Sequence, residues 1–387
     1  MKTSVSTYSF GKYVESLGIY GVIDKAAETG AEYYCMDAGW YAEGTWWDSV
    51  GEWQPCARRF PNGIRQVLDY VRSKGMIPGM WLEIEVMGIH CPLAKTLDDK
   101  CFFMRHGKRV IDNGRYFLDF RNQWVRDYAT SVIDRLVTEY GVGYIKNDYN
   151  VDGGIGTEIN ADSVGDGLLQ HNRAYLSWVR EVKQKYPTLI WENCSSGGMR
   201  MEYAMLSVAD LQSVSDQSNY RFNAPIAAAS ATAVLPEQAA IWSYPTETDD
   251  ENAVVLNMVN ALLSRVHLSG AITSLSESNF ARVKEAVALY KQLRQDIPSA
   301  IPFYPLGIPQ YTDGWLCAAY CCETCIRMAI WRMASDTDRL NIPVKGKAKI
   351  LYPSKSDAGG VCPNSSGLTV FLKERYSAML IEVDPTL

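Results

Sequence analysis

Residues 142–150 read VGYIKNDYN. Val142 to Ile145 is a short apolar run of strand length, and it ends at Lys146 and Asp148. Before it, Trp124 to Tyr140 carries Val125, Tyr128, Val132 and Leu136 at helical spacing. After it, Leu168 to Tyr186 predicts a second helix, with Leu176, Val179 and Val182 inward. A helix, a buried strand and a helix, with acid at the strand's C-terminal end, make one unit of an α/β fold.

The unit recurs in both directions. Upstream, Tyr33 to Met36 ends at Asp37, and Met76 to Leu82 ends at Glu83 and Glu85. Between them, Ile64, Val67, Leu68 and Val71 mark one helix face that Gly75 stops. Downstream, Leu189 to Trp191 ends at Glu192 and Cys194, and Val208 to Leu211 with Val214 leads into Asp216. A helix is expected over Ala228 to Ala240, with Pro236 as a break. Ile241 to Tyr244 and Val266 to Ile272 are the seventh and eighth strands, and Asn252 to Leu263 and Phe280 to Asp296 the last helices. Ser4 to Phe10 and the helix Tyr13 to Ala27 complete the count at the start. Strand–helix units in this order predict a (β/α)8 TIM barrel over residues 1–298. Past Pro298 come short runs separated by Gly, Pro, Asn and Asp: Trp315 to Tyr320, Ile326 to Trp331, Leu340 to Val344, Ala348 to Tyr352, Leu368 to Leu372 and Met379 to Val383. They predict a small C-terminal antiparallel β-sandwich over 299–387.

Composition narrows the function. Of 387 residues, 47% are hydrophobic and 21% charged, with net charge −6 and no basic stripe. Nucleic acid and anionic membrane are therefore poor partners on electrostatic grounds. No apolar run approaches a membrane span. Met1 to Tyr13 lacks the apolar core of a signal peptide, and ten cysteines at irregular spacings suit a reduced, cytoplasmic compartment. Cys317, Cys321, Cys322 and Cys325 lack the spacing of facing CxxC pairs and read as structural rather than as a zinc site. No dinucleotide fingerprint, P-loop or GxSxG elbow occurs.

Asp37, Glu83, Glu85, Asp148, Glu192 and Asp216 each follow an apolar run, which places them at the rim where barrel enzymes do chemistry. Singly, an acid there is a turn or helix cap; six in series point to a polar ligand. Lys146, two residues before Asp148 on the same strand face, is placed to pair with it. Trp40, Tyr41, Trp46, Trp47, Trp53 and Trp81 crowd the same loops. Rings beside acids suit sugars, and two carboxylates flanking one bond are the minimal apparatus of a glycosidase.

These blocks carry a family. MDAGWY (36–41), GEW with FPNGI (51–64), GMIPGMWLEIE (75–85), GRYFLDFRN (114–122), YIKNDYN (144–150), ENCSSGGMR (192–200) and SDQSNY (215–220) resemble glycoside hydrolase family 36, the α-galactosidases of clan D. The resemblance runs from about Ala31 to Ser274. It implies a retaining double displacement on a terminal α-galactoside, without a cofactor or metal. Asp148 matches the nucleophile and Asp216 the general acid/base. The remaining matches imply a substrate-binding set of Asp37, Trp40, Trp81, Glu83, Arg115, Lys146, Asn150, Glu192, Cys194, Gly197 and Asn219. Of these, Asp37 matches an O4/O6 contact, Trp81 the ring face, Arg115 and Lys146 further hydroxyls, and Cys194 with Gly197 the O2 side. Structural readings stand beside these: Trp81 as core, Arg115 as a scaffold ion pair, Cys194 as a small buried residue.

The chain departs from the family pattern at three places. Ala38 follows Asp37 where many members have paired acids, and Asn219 replaces a second acid. The usual N-terminal β-sandwich is not recognised, and residues 1–30 look faintly like the opening βα unit of sugar isomerase barrels. That segment is either a replacement first unit or a truncated or fused start. These departures keep open a transglycosylase, a hydrolase of another α-linked sugar such as N-acetylgalactosamine, and a degenerate sugar-binding protein. An oligomer is compatible with every reading.

Overall fold

The computed structural model describes residues 4–7, 14–43, 45–354 and 359–385. The chain folds as a (β/α)8 barrel followed by antiparallel sheets. The barrel strands are β1 (Ser4–Thr7), β2 (Tyr33–Met36), β3 (Ile77–Leu82), β4 (Tyr144–Asn147), β5 (Ile190–Asn193), β6 (Leu211–Ser213), β7 (Ala239–Ser243) and β8 (Arg265–Leu268). The main helices are α1 (Val14–Glu28), α2 (Ile64–Ser73), α3 (Gln123–Asp134), α4 (Val164–Lys185), α5 (Tyr220–Ala229), α6 (Glu251–Leu262) and α7 (Glu277–Leu293). Residues 8–10 of the expected first strand lie outside the described residues. Two compact units divide the chain: residues 7–23 with 33–212, and residues 1–6 with 24–32 and 213–387.

In the first unit every residue of β2 and β4 is buried. Parallel strands covered on both faces show as continuous apolar runs, which is why they were legible. Helix α2 buries Ile64, Val67, Leu68 and Val71 on one stripe. It ends in a Schellman motif: Gly75, at φ 79°, donates to the Arg72 carbonyl and Met76 to that of Val71. Pairing of β2 with β3, β3 with β4 and β4 with β5 sets Trp81, Lys146 and Glu192 in one row. Gly79 lies beside Tyr144, where a Cβ would meet the ring at 2.8 Å, so only glycine lets β3 and β4 approach there. Between β3 and α3 an insertion forms a small sheet of Val86–Gly88, Arg115–Phe117 and Ile111–Asp112, which delivers Arg115.

In the second unit β7 pairs with β8, and β8 with β1. Helix α6 is buried all round from Ala253 to Leu262, packed by α5, α7 and the strand Ser377–Asp384. The expected helix over 228–240 is instead α5, which starts at Tyr220 because Asn219 caps it, its side chain accepting from the Arg221 N–H at 3.0 Å. Ala239 and Ala240 belong to β7.

The C-terminal region of this unit has two antiparallel sheets. One orders Ile301–Phe303, Trp315–Cys321, Ile326–Arg332, Ser377–Asp384 and Lys347–Tyr352; the other orders Arg339–Ile342, Gly367–Leu372 and Gly359–Asn364. They share a core that includes Met328, Ile330, Leu368, Val370 and Ile381. Gly359–Asn364 reads as a loop in sequence because Gly359, Gly360 and Pro363 are poor strand formers. Cys317 lies in this core, and burial pushes its thiol far up. Among the described residues no helix is long and apolar enough to cross a membrane, and no cluster of three His, Cys, Asp or Glu is placed to hold a metal ion.

Candidate active site

Asp148 follows β4 directly and is buried. Its Oδ1 accepts from the Tyr149 N–H at 2.8 Å and the Ser196 N–H at 3.1 Å; its Oδ2 accepts from Trp81 Nε1 at 3.1 Å. Three N–H donors on one carboxylate fix its plane. Trp81 is held in turn: Trp40 Nε1 donates to its carbonyl at 2.9 Å, and Tyr41 stacks on it with centroids 5.9 Å apart. Both Trp40 and Trp81 are buried.

Lys146 makes its ion pair with Asp37, Nζ to Oδ2 at 2.9 Å, rather than with Asp148 as its place on the strand suggested. A four-carbon stem reaches across to the acid at the end of β2, and register alone does not fix where it ends. Glu192 is fully buried, accepts from the Tyr144 hydroxyl, and keeps Oε1 without a hydrogen bond among the described residues. Burial pushes its carboxyl up to about 7; Lys146 and Tyr144 oppose that, while Asp37 and Asp148 add to it. The raised folded value means Glu192 favours folding fully below about 4.5, and that contribution is lost as the pH rises through 7. Glu192→Gln is thus expected to leave stability at pH 4 nearly unchanged and to raise it at pH 8 by roughly 2–3 kcal/mol. Urea unfolding at the two pH values checks this.

Glu83 is also fully buried and ion-paired to Arg115 at 2.9 Å, with both side chains at 0% exposure. The Trp47 ring covers the Arg115 guanidinium at 3.5 Å. Glu83 Oε1 accepts from the Asn150 N–H at 2.5 Å. Burial pushes this carboxyl to about 7 despite Arg115, and Asp148 contributes in the same direction. Asn150 Oδ1 accepts from Ser196 Oγ at 2.7 Å. Cys194 is buried with its N–H on the Asn147 carbonyl at 2.9 Å, and Gly197, at φ 82°, accepts from the Ser195 N–H through its carbonyl.

The other two expected site residues belong to the second unit. Asp216 follows β6 and is half-buried; Asn219 is exposed at the start of α5, its side-chain oxygen spent on the cap.

The Melibiase family model matches residues 10–299. The chain belongs to the Melibiase family. Among curated members, alpha-galactosidase AgaA of Geobacillus stearothermophilus is 25% identical over 293 residues, covering 72% of this chain and 39% of AgaA. Alpha-galactosidase 1 of Pediococcus pentosaceus is 25% identical over 302 residues, covering 74% and 40%. The chain thus spans about two-fifths of the length of these relatives. A solved AgaA variant in complex with raffinose superposes with TM-score 0.83 at 18% identity, covering 100% of this chain and 56% of that one.

Within this Melibiase chain the first unit joins Trp81, Asp148, Ser196, Asn150, Glu83 and Arg115 by direct contacts, and pairs Asp37 with Lys146, whose charges act on Glu192. Sequence reasoning missed a neighbouring network. Glu85 is buried and pairs with Arg200 at 2.8 Å, while His171 Nε2 lies 3.4 Å from its other oxygen. His171 Nδ1 accepts from the Phe120 N–H, which leaves the imidazole proton on Nε2, towards Glu85. Burial alone would raise the Glu85 carboxyl, but Arg200 and His171 together hold it below its ordinary value. The signals available were Glu85 at a strand end and Arg200 inside the ENCSSGGMR block.

Proposed function

We propose that this chain is a retaining glycoside hydrolase that releases terminal α-D-galactosyl residues through a covalent glycosyl-enzyme. The observation that carries the reading is the Asp148 carboxylate, buried at a barrel strand end with three N–H donors. Those donors orient it and burial screens it from solvent, as a carboxylate nucleophile requires. Asp148 attacks the anomeric carbon; Asp216 protonates the departing glycosidic oxygen, then takes the proton of the water that cleaves the ester. Retention calls for the two carboxyl groups about 5–5.5 Å apart.

Asp37 with Lys146 offers an acceptor and a donor for vicinal hydroxyls, and Glu192 keeps a spare acceptor oxygen beside them. Trp40, Trp81, Glu83, Arg115, Asn150, Cys194 and Gly197 build the wall of the same site. The catalytic region is residues 1–298 and the C-terminal sandwich is 299–387. The proposed chemistry needs no cofactor, and the thiol-rich composition suits the cytoplasm. Membership beside relatives named alpha-galactosidases, one of them solved with raffinose, supports α-galactoside oligosaccharides as substrates.

A second reading is favoured by Ala38 and by the commitment of Asn219 to the α5 cap, which together remove two polar contacts from the sugar's edge. It is a transglycosylase, or a hydrolase of a differently substituted α-sugar such as α-N-acetylgalactosaminide. Turnover of p-nitrophenyl α-D-galactoside and of its 2-acetamido analogue, with the first-formed anomer read by proton NMR, separates these readings. The proposal expects α-galactose first and no turnover by Asp148→Ala. Activity that survives that substitution, or β-galactose appearing first, overturns it.

A further inference from the structure

The segment 195–200 supplies the Ser196 N–H to Asp148 in an unfavourable conformation. Ser196 sits at φ 42°, in the left-handed region that a residue with a Cβ enters at a cost. Something must hold it there, and packing from outside does not. The outer side of this segment faces an open cavity of about 1120 Å³ that Ser196, Met199, Arg200 and Met205 help to line. Met199 is 65% exposed and Tyr203, just beyond, is 81% exposed.

Two ties remain. Ser195 Oγ donates to the Tyr149 carbonyl at 2.7 Å, next to Asp148 in sequence. Arg200 reaches inward, with its guanidinium 4.1 Å from the Tyr149 ring centroid and Nη1 2.8 Å from Glu85 Oε1. Its backbone carbonyl also accepts from Asn193 Nδ2 at 3.2 Å. Glu85 is buried just past β3, so this ion pair anchors the far end of the six-residue segment to rigid scaffold.

We propose that Glu85 and Arg200 are positioning residues for Asp148: their ion pair holds residues 195–200 so that the Ser196 N–H stays on the carboxylate. The proposal rests on Asp148 being the nucleophile. Without the pair, Ser196 relaxes out of the left-handed region and Asp148 loses one of its three donors. The carboxylate is then free to turn out of the plane that attack requires. Glu83 from the end of β3, Glu192 on β5, and Lys146 with Asp37 also bear on the charge around Asp148, and the substitutions below leave all of them in place.

Arg200→Met strands a buried carboxylate and risks misfolding. The test therefore pairs the double variant Glu85→Gln with Arg200→Gln, which removes both charges, with Arg200→Lys, which keeps the charge and loses the planar fork. A hydrogen bond to a charged group is worth enough to expect kcat of the double variant to fall about tenfold with KM nearly unchanged. Capture by a galactose-configured cyclitol epoxide at neutral pH is expected to slow about tenfold, and Arg200→Lys to recover part of it. Exchange of the Ser196 amide hydrogen is expected to quicken, a readout independent of catalysis. A folded double variant with wild-type kcat, capture rate and Ser196 protection overturns the positioning role. Wild-type protein that the epoxide never labels at Asp148 overturns the hydrolase reading itself, and the positioning role falls with it.

Discussion

Asp148→Asn is expected to cut turnover of an α-galactoside on the order of 10⁴-fold while leaving the barrel folded. The amide removes the nucleophile, and it also misfits its donors. Oδ1 receives two N–H groups and Oδ2 receives the Trp81 indole N–H. An asparagine has one acceptor oxygen, so its NH₂ must face a donor whichever way it turns. That clash leaves buried N–H groups unpaired at about 1–3 kcal/mol each, a penalty to be seen as a lowered unfolding midpoint. Asp148→Gly avoids the clash and opens space. Added azide is expected to restore turnover in Asp148→Gly and to leave as the β-galactosyl azide, because it attacks from the face the carboxylate occupied. Rescue without that product would place the nucleophile elsewhere.

Arg115→Met is expected to destabilise the fold by about 3–5 kcal/mol, the usual cost of removing one partner from a buried ion pair. Glu83 and Arg115 are both completely buried, and Trp47 seals the guanidinium from above. With the cation gone, Glu83 loses the attraction that opposes its burial, so its carboxyl rises beyond about 7. The loss is therefore largest near pH 8 and shrinks toward pH 5, where the stranded carboxyl takes up a proton. Adding Glu83→Gln to Arg115→Met is expected to return part of the stability at pH 8. Urea unfolding of both variants at the two pH values measures this, and a pH-independent loss would mean that packing under Trp47, not charge, sets the cost.

The order of the strands β2, β3 and β4 was legible because each is a buried apolar run with an acid just after it: Asp37, Glu83 and Asp148. The antiparallel strands showed through their turn residues, except Gly359–Asn364, whose glycines and proline disguise it. The helix expected at 228–240 was misplaced because the alanines there carry helix propensity, while the start was decided by a single side-chain bond at Asn219. Less could be read of the candidate site. Lys146 and Asp37 are 109 residues apart, and Glu85 and Arg200 are 115 apart. Such partners are chosen by barrel geometry, which brings strand ends together without leaving a local pattern. The Trp47 cover on Arg115 is likewise a loop contact that no periodicity encodes.

The missing side chain at residue 79 has a chemical consequence on the next strand but one. Tyr144 occupies the space that a methyl group on Gly79 would take, and its hydroxyl reaches Glu192 on β5. A hydrogen atom on β3 thus makes room for the ring whose hydroxyl bonds a carboxyl on β5.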